Sequence, residues 1–394
     1  MVGTLLVKTI YSRQLKEFAR IVAVIHSLDG GGAERVMAGL VSRWATIGHQ
    51  THLITVDPHA DDRYDVHDRV IRHTIDAVET AMLGRWGGWR RLQRIRRLRR
   101  LIRRLHPDCV LAFCDATNRL TLMATRNRPP TYVHERSDPA SQTPGRIDRI
   151  LRRIYYRRAE GVFTQTPAAA QFLSAEIGKP VSVIASPIEA VSVPKPDHRQ
   201  AIVLGVGRLE REKRFDRLID AFATIADRRP EWKLRIVGDG SLRGDLERQI
   251  QRLNIQDRVE LIGWVRDVDP HYADASIFAL SSDYEGYPRA MLEAMIREVP
   301  IVSVDCPVGP TDILQGGEFG RLTDRDADAL AVGIDQTIAH MDSARRTAAS
   351  ARVHILETNH WNVILGRYAL AMGLPQTTAS ATGSTTVPDR SISF

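Results

Sequence analysis

The chain has 394 residues, of which 43% are hydrophobic and 26% charged, the composition of a globular protein too long for one ordinary domain. Its formal net charge of +8 predicts an anionic partner and leaves phosphate-bearing small molecules, nucleic acid and acidic lipid open. No run of roughly 18 uncharged apolar residues occurs, so the sequence predicts no membrane-spanning helix. The three cysteines lack metal-ligand spacing and predict a reducing compartment rather than a disulfide framework.

The first half of the chain alternates strand-like and helical segments. Residues 1–19 form an N-terminal extension without a secretory signal pattern, and a β-branched run after them predicts a buried strand. A glycine turn then precedes a helix whose apolar face carries Val36, Leu40 and Trp44, and which ends at Gly48. Further strands are predicted in THLITV, DCVLAFC, PTYVHE, GVFTQT and VSVIAS. This order predicts a doubly wound parallel sheet over residues 20–190.

A second series of the same kind follows a proline-rich linker at residues 191–200. Its strands are predicted in AIVLGVG, WKLRIVGDG, RVELIGWV, ASIFALSS and PIVSVDC, which gives a second α/β domain over residues 201–353. An amphipathic helix is predicted within residues 354–374, and the Ser/Thr-rich tail at 375–394 is predicted to be disordered. Because doubly wound sheets bind ligands at the carboxyl ends of their strands, we expect a ligand site where two such domains face each other.

One glycine turn of the second domain carries cations. Gly205 and Gly207 close a strand, and Arg208 and Lys213 follow just before a predicted helix. A strand end and a helix N-terminus attract phosphate, and two cations there would neutralise a diphosphate without a metal ion. The alternative is a solvated basic helix start.

Two further glycine turns are less specific. In VGDGSLRGDLE the spacing of Gly238, Gly240 and Gly244 misses the dinucleotide fingerprint by one residue, which favours an ordinary strand-to-helix turn. In LDGGGAERV the glycines precede a helix, where they would let a ligand approach the backbone or merely form a tight turn.

The stretch SSDYEGYPRAMLEAM contains two separated acids, Glu285 and Glu293. Paired glycosidase carboxyl groups lie roughly 5–9 Å apart, whereas eight positions along a helix rise by about 12 Å. The spacing therefore favours contacts with two ends of one elongated ligand over a catalytic pair. Pro288 is predicted as the first helical residue, which leaves Glu285 in a loop and puts Glu293 about two turns into the helix.

Together with GRLEREK, GWV, GGGAERV and VGPTDIL, the segment EGYPRAMLE resembles the family-four retaining glycosyltransferases of the GT-B fold. The resemblance runs from about Ile21 to Leu370 and is greatest to the branch that builds bacterial exopolysaccharide, O-antigen and other lipid-linked glycans. It implies an α/β GT-B fold of two Rossmann-like domains facing a central cleft, with acceptor bound by the first and donor by the second. It also implies transfer of a hexose or N-acetylhexosamine from a nucleotide diphosphate sugar, taken as a UDP-sugar, to a glycan or polyprenyl-diphosphate-linked acceptor.

The resemblance assigns roles to individual residues of this chain. The catalytic set is Arg208 and Lys213 on the donor diphosphate, Glu285 on sugar hydroxyls, and His134 beside the sugar. For His134 a packing role at the end of a strand is the alternative. Glu293 would bind the ribose, and the donor-binding set is Gly31, Gly32, Gly207, Gly286, Tyr287, Pro288, Arg289 and Glu293. The acceptor side would hold Glu135, Arg136 and Asp138.

A metal ion and other cofactors are not expected. Residues 267–269 read Asp-Val-Asp, like the metal motif of the other large glycosyltransferase fold, but they precede a predicted helix, where Asp is a good N-cap. We therefore interpret them as a cap, with the nucleotide diphosphate sugar as donor substrate and no metal required.

An arginine-rich helix is predicted around residues 85–104, with ten arginines and no Asp or Glu. Its apolar residues recur at three- and four-residue spacing, so one face packs on the domain while the charges are solvated. Its excess charge also predicts docking on an anionic membrane surface through Trp86, Trp89, Arg90, Arg94 and Arg97, with the protein at the inner, cytoplasmic face of the plasma membrane. Alternatives are a sugar phosphorylase, a nucleotide-sugar epimerase or a non-enzymatic basic binding protein; few aromatic residues accompany the arginines, so no nucleic-acid partner is expected.

Overall fold

A computed structural model of the chain describes residues 17–57, 62–75, 87–126, 128–140, 145–191, 199–306 and 308–375. The chain divides into two compact units. The first unit contains the residues up to Ala185 and those from Ile364 onward, and the second spans Ser186–Val363. The predicted tail and part of the N-terminal extension lie outside the described residues.

The first unit contains a parallel sheet with strand order β3-β2-β1-β4-β5-β6-β7. Its strands are β1 (Arg20–Ile25), β2 (Gln50–Thr55), β3 (Ile71–Thr74), β4 (Cys109–Phe113), β5 (Thr131–His134), β6 (Gly161–Thr164) and β7 (Ser182–Val183). Its helices are α1 (Gly32–Ile47), α2 (Gly87–Leu105), α3 (Asp115–Thr125), α4 (Arg146–Tyr156) and α5 (Pro167–Ile177). The predicted strands are confirmed, while β3 was missed because its four residues are exposed or half-buried and do not form an apolar run.

Helix α1 shows why this sequence folds locally as it does. Val36, Leu40 and Trp44 are buried on one face, and Gly48 ends the helix with a φ of 113°, a conformation that glycine adopts without strain. Right-handed crossovers place α1 on one side of the sheet and α2 to α5 on the other. On that second side α3 packs against both α2 and α4.

The second unit contains a parallel sheet with strand order β10-β9-β8-β11-β12-β13. Its strands are β8 (Ile202–Val206), β9 (Lys233–Val237), β10 (Val259–Gly263), β11 (Ile277–Leu280), β12 (Ile301–Val304) and β13 (Arg321–Thr323). Its helices are α6 (Phe215–Ala226), α7 (Arg243–Arg252), α8 (Asp269–Asp274), α9 (Arg289–Met295), α10 (Pro310–Ile313), α11 (Ala327–Ala339) and α12 (Met341–Asn359). Two apolar clusters cover the two faces of this sheet, and only the short edge strand β13 was not foreseen.

The chain ends its described part with α13 (Trp361–Met372). The residues from Ile364 onward belong to the first unit, where Tyr368 packs edge-on against Trp44 with ring centroids 6.1 Å apart. The sequence predicted one helix over residues 354–374, whereas His360 separates α12 from α13 with an extended ψ of 145°. No helix among the described residues has the length and apolarity needed to cross a bilayer.

Candidate functional site

The turns after β8 and β9 pack directly against each other in the second unit. Gly238 has a φ of +139°, and a Cβ there would lie 1.9 Å from the carbonyl oxygen of Gly207. A Cβ on Gly240 would lie 2.6 Å from the carbonyl oxygen of Leu209. The close packing of the two turns therefore requires glycine at both positions. This agrees with the prediction that VGDG forms an ordinary strand-to-helix turn. The contact places Gly207 and Arg208 at the carboxyl end of the sheet.

Lys213 and Glu285 meet at this sheet edge. A 3-10 turn (Arg211–Lys213) precedes α6, as the sequence predicted for a helix start, and Lys213 Nζ donates to Glu285 Oε1 at 2.6 Å. Ser282 Oγ donates to the same carboxylate oxygen at 2.7 Å, and Ser281 Oγ donates to the Lys213 carbonyl at 2.8 Å. Glu285 is buried, and the contacts with Lys213 and Ser282 hold its carboxylate in one orientation.

Arg208 is the more exposed of the two cations that were predicted to bind the diphosphate. Its side chain is 75% exposed and one guanidinium nitrogen lies 2.8 Å from Glu212 Oε1. The Glu212 carbonyl in turn accepts a hydrogen bond from Asp283 N at 2.9 Å, which ties this turn to the loop that carries Glu285. Because exposed ion pairs contribute only about 0–1 kcal/mol, an incoming phosphate can replace Glu212 as the partner of Arg208.

Glu293 lies on α9, which is shorter than predicted. The helix has seven residues from Arg289 to Met295, and Pro288 is its N-cap with an extended ψ of 95°, not its first helical residue. Glu293 is therefore little more than one turn from the helix start, which corrects the expectation of two turns. Glu293 Oε2 accepts from the Tyr272 hydroxyl at 3.2 Å, and its Oε1 lies 3.5 Å from an Arg289 guanidinium nitrogen. A helix this short also offers a weaker dipole to phosphate than a long one.

The loop between the two glutamates is fixed by hydrogen bonds within the unit. The Asn359 side-chain amide donates to the Tyr287 hydroxyl at 2.9 Å and to the Ser186 carbonyl at 2.8 Å. Arg289 donates to the Pro187 carbonyl at 3.1 Å. Gly286 and Pro288 face Gly309, where an added Cβ would lie 2.9 Å from Pro288 Cδ. The residues of this segment that were predicted to bind the donor are thus held in place by contacts within the second unit.

Cys306 lies near the same carboxylate. Burial, together with the negative charge of Glu285, raises the pKa of its thiol to about 12. The thiol is therefore neutral at physiological pH and is a packing group rather than a nucleophile.

In the first unit, a side chain of α1 covers the glycine turn that precedes this helix. Gly31 is the N-cap of α1 and Gly32 its first residue. The Glu34 carboxylate folds back over the turn, so that a Cβ on Gly31 would lie 2.0 Å from Glu34 Oε2. Burial raises the pKa of Glu34, and the negative charge of Asp29 adds to this effect.

His134 is the last residue of β5 and is fully buried. Its Nδ1 lies 2.6 Å from the Tyr368 hydroxyl, and the rings of Phe113 and Phe163 contact it edge-on. Burial lowers the pKa of His134 well below its usual value, with the positive charge of Arg136 in the same direction, so the imidazole is neutral. In this conformation its ring packs between β5 and α13, the alternative that the sequence left open, and a contact with donor sugar stays a prediction.

The predicted acceptor-side residues form a buried polar cluster after β5. Glu135 Oε2 accepts from the Tyr156 hydroxyl at 3.0 Å and its Oε1 accepts from Ser137 Oγ at 2.8 Å. Asp138 Oδ1 accepts from Ala140 N at 2.9 Å, and the Arg136 guanidinium lies 5.2 Å from the centre of the Phe113 ring. Burial raises the pKa of Glu135, and the nearby Asp115 carboxylate raises it further.

Sequence reasoning did not single out two residues near these strand ends as candidate site residues. Asp115 is the first residue of α3, one residue beyond the end of β4, and burial raises the pKa of its carboxyl group near Glu135. Trp264 follows β10 and its side chain is 62% exposed, beside the turns that carry Gly207 and Gly238. The signal was present, because Asp115 immediately follows the predicted strand DCVLAFC and Trp264 lies near the carboxyl end of the predicted strand RVELIGWV, where doubly wound sheets bind ligands.

The predicted membrane-contact residues are only partly described. Trp86 lies outside the described residues, and Trp89 and Arg90 lie on α2 in the part whose side chains are not described. Arg94 is exposed. Arg97 donates to the Ile75 carbonyl at 3.3 Å, so its side chain makes a structural contact within the first unit. Arg99 likewise donates to the Met123 and Ala124 carbonyls at the end of α3.

Within the described residues no group of three or more His, Cys, Asp or Glu side chains could hold a metal ion. Asp267 Oδ1 accepts from Asp269 N at 2.9 Å, directly before α8, although the N-cap position itself is Val268 rather than an Asp. The Asp-Val-Asp stretch thus closes a turn at a helix start.

Comparison with known families covers most of the chain. The family model described as Glycosyltransferase Family 4 matches residues 30–190, and the model described as Glycosyl transferases group 1 matches residues 189–354. The boundary between the two matches falls near the boundary between the two compact units.

Among relatives, the amylovoran biosynthesis glycosyltransferase AmsD of Erwinia amylovora is 30% identical over 39% of this chain and 43% of its own length. The chain spans less than half the length of each of the first three curated relatives that it matches. A Campylobacter jejuni N-acetylgalactosaminyltransferase, which acts on an undecaprenyl-diphosphate-linked glycan, is 23% identical over 77% of this chain and 85% of its own length. Anabaena HepE, solved in complex with UDP, superposes with a TM-score of 0.74 at 18% identity over 90% of this chain and 99% of that one. This likeness shows the GT-B fold.

Proposed function

Because the chain belongs to the family-four glycosyltransferases of the GT-B fold, we propose that it is a retaining glycosyltransferase of polysaccharide, lipopolysaccharide or other lipid-linked glycan biosynthesis. It moves a hexose or N-acetylhexosamine from a UDP-sugar to a glycan or to a polyprenyl-diphosphate-linked acceptor. Relatives named for amylovoran, lipopolysaccharide core and undecaprenyl-diphosphate glycan synthesis support this acceptor class.

The observation that carries the proposal is the arrangement of Arg208, Lys213 and Glu285 at the carboxyl end of the second sheet. Breaking the bond between sugar and nucleotide places negative charge on the leaving diphosphate. A guanidinium and an ammonium fixed beside it stabilise that charge, and preorganised groups of this kind are usually the largest catalytic contribution. Lys213, half-buried, is held before the donor arrives by the ion pair of its ammonium with Glu285 and by the hydrogen bond from Ser281 to its carbonyl.

The two glutamates hold the ends of the donor. Glu285, oriented by Ser282 and Lys213, accepts hydrogen bonds from sugar hydroxyls. Glu293, oriented by the Tyr272 hydroxyl, accepts from the ribose. The complexes of HepE with UDP and with UDP-glucose support UDP as the nucleotide. The chemistry needs no metal ion, because the two cations neutralise the diphosphate.

The first unit provides the acceptor side. Glu135, Arg136 and Asp138 follow β5 at the carboxyl end of its sheet, where an acceptor hydroxyl is bound by charged groups. His134 acts as a positioning residue, since its buried ring fixes the start of this segment against Tyr368.

The protein acts at the inner face of the plasma membrane. Helix α2 carries an arginine-rich surface that is attracted to anionic lipid, each arginine contributing about 1 kcal/mol near the headgroups before screening. A membrane-bound polyprenyl acceptor would be available there.

The direct test combines donor binding with turnover. A panel of UDP-sugars and their GDP and ADP counterparts is screened by thermal shift, and the best donor is then incubated with a polyprenyl-diphosphate glycan. We expect a UDP-sugar to raise the Tm, a glycosylated lipid to form, and the product to keep the donor's anomeric configuration. Sugar phosphate formed from glycan and inorganic phosphate would indicate a phosphorylase instead, and donor sugar converted without an acceptor would indicate an epimerase.

A further inference from the structure

Helix α4 turns its most apolar side chains outward. Ile147, Ile150 and Ile154 recur at three- and four-residue spacing, so they lie on one face, and they are 74%, 58% and 44% exposed. Single exposed apolar residues are common on protein surfaces, but three on one helix face form a patch of the kind that marks an interaction site. We call these three residues the isoleucine face.

The opposite side of α4 is held to the first unit by polar groups. Arg152 is buried and makes a two-pronged ion pair with Glu176, with nitrogen-to-oxygen distances of 2.8 and 2.7 Å. Tyr156 is also fully buried and donates to Glu135. Folding therefore does not need the isoleucines, because an arginine and a tyrosine occupy the positions where an ordinary surface helix has its apolar residues.

Positive charge surrounds the isoleucine face. Arg146, Arg149 and Arg153 are exposed on the same helix, and Arg157 and Arg158 are exposed directly after it. The one acid of the helix, Asp148, lies 2.5 Å from an Arg119 guanidinium nitrogen of α3. The surface around the isoleucine face is therefore strongly cationic.

The fold puts this helix beside the arginine-rich one. Helices α2, α3 and α4 lie on the same side of the first sheet, and α3 packs against both of the others. The basic surface of α2 and the isoleucine face of α4 thus belong to one layer of one unit.

We propose that α4 is the membrane-inserting element of the protein, with the isoleucine face buried among the acyl chains of an anionic bilayer and the flanking arginines at the phosphates of its headgroups. An amphipathic helix with arginines beside its apolar residues binds lipid in this way. The proposal adds an apolar contact of α4 with the bilayer to the docking of α2. It rests on the proposed function only in that a lipid-linked acceptor gives the protein a reason to bind a membrane.

A second copy of the chain fits this face less well. Stable protein interfaces bury about 800 Å² on each partner, and three isoleucines on an eleven-residue helix supply only a fraction of that area. Two copies would also bring their arginines together. Anionic lipid satisfies both the apolar and the charged part of the surface.

The test measures binding of the full chain to vesicles by co-sedimentation, without donor or acceptor, so that failure of the glycosyltransferase proposal does not affect it. The vesicles contain phosphatidylglycerol and phosphatidylcholine, with pure phosphatidylcholine as the uncharged comparison. We expect the triple variant Ile147→Ser/Ile150→Ser/Ile154→Ser to lose at least tenfold in binding to the anionic vesicles. The matched control is Val332→Ser/Val353→Ser/Leu370→Ser, three exposed apolar residues elsewhere, which should bind like the wild type.

Two further measurements complete the design. Arg146→Gln/Arg149→Gln/Arg153→Gln should weaken binding to anionic vesicles several-fold and leave binding to pure phosphatidylcholine unchanged. An environment-sensitive dye on Ile150→Cys should shift to the blue on vesicles, after subtraction of labelled wild type, whereas the same dye on Val332→Cys should not. Equal Tm values establish that the variants fold.

Equal vesicle binding by the wild type and the isoleucine variant would overturn the proposal. A wild-type dimer that ignores vesicles and dissociates in the isoleucine variant would also overturn it, in favour of a second copy on this face.

Discussion

Lys213 Nζ lies 2.6 Å from Glu285 Oε1, which joins two residues 72 positions apart at the carboxyl end of the second sheet. The ion pair is largely shielded from water, and Ser282 donates to the same carboxylate oxygen. In the absence of donor the two side chains neutralise each other. In the proposed function, the Lys213 ammonium contacts the donor diphosphate and the Glu285 carboxylate contacts sugar hydroxyls, so the ion pair orients both groups toward one ligand.

Replacing Lys213 should therefore damage catalysis more than stability. We expect Lys213→Ala to lower kcat by roughly 100-fold or more, because a preorganised cation that stabilises the leaving diphosphate is lost. Lys233→Ala is the matched control, since Lys233 is an exposed lysine of the same unit that pairs with Glu260 at 3.5 Å. Steady-state kinetics with the preferred donor measure the effect, and equal losses in the two variants would contradict the role of Lys213.

Tyr272 tests the nucleotide end of the site. Its hydroxyl oxygen lies 3.2 Å from Glu293 Oε2 and 3.1 Å from the Ala290 carbonyl oxygen, so its single proton is shared between two acceptors. Tyr272→Phe removes this shared hydrogen bond while keeping the buried ring, so the Glu293 carboxylate loses about 1 kcal/mol of the interaction that orients it. We expect a several-fold higher Kd for UDP by calorimetry and a higher KM for the donor with little change in kcat. A lower kcat at unchanged KM would place Glu293 at the reacting bond instead.

Gly238 tests the packing of the two turns. Its φ of +139° and the 1.9 Å approach of an added Cβ to the Gly207 carbonyl oxygen leave no room for a side chain. We expect Gly238→Ala to lower the free energy of unfolding by about 2 kcal/mol or more. Gly244→Ala is the control, because Gly244 lies on α7 with its nearest neighbour atom 3.5 Å away. There alanine should be neutral or stabilise by roughly 0.5–1 kcal/mol in urea unfolding.

His52 and His73 should make the stability of the first unit depend on pH. Nδ1 of His52 and Nε2 of His73 lie 3.0 Å apart on the neighbouring strands β2 and β3. Burial lowers the pKa of both imidazoles, and for His52 the charge of His73 lowers it further. The unfolded chain therefore binds protons below its usual pKa of about 6.5 that the native state does not bind, so stability is complete above that pH and falls as the pH is lowered.

His73→Gln isolates this contribution. The slope of unfolding free energy against pH, measured by urea unfolding between about pH 7.5 and about pH 5.5, should be less steep in the variant, with at most about 1.4 kcal/mol per pH unit for each proton involved. Buried His134 contributes equally to both proteins. Identical slopes would exclude the histidine pair as a source of pH dependence.

The sequence predicted the two parallel sheets because apolar runs such as residues 109–113 and 277–280 are buried on both faces and carry a strong signal. It missed β3 and β13 because both are short edge strands whose residues are exposed or half-buried and lack that signal. It placed Pro288 one position too far into α9, because proline is acceptable both at the N-cap and at the first helical position.

The candidate site was only partly predictable. Spacing indicated that Glu285 and Glu293 hold different parts of a ligand, but the Lys213–Glu285 ion pair depends on the register between β8 and β11, which no local pattern encodes. His134 shows the opposite case, because a strand-end position cannot distinguish an exposed imidazole from one enclosed by a helix that returns from the far end of the chain.

The central claim is that Lys213, Glu285 and Arg208 act on a nucleotide diphosphate sugar. The measurement that tests it most directly is UDP release from the preferred UDP-sugar in the presence of a polyprenyl-diphosphate glycan, compared between wild type and Glu285→Gln. We predict acceptor-dependent UDP release by the wild type and a loss of roughly 100-fold or more in the variant, with UDP affinity retained. Acceptor-dependent release at the same rate in Glu285→Gln would contradict the account.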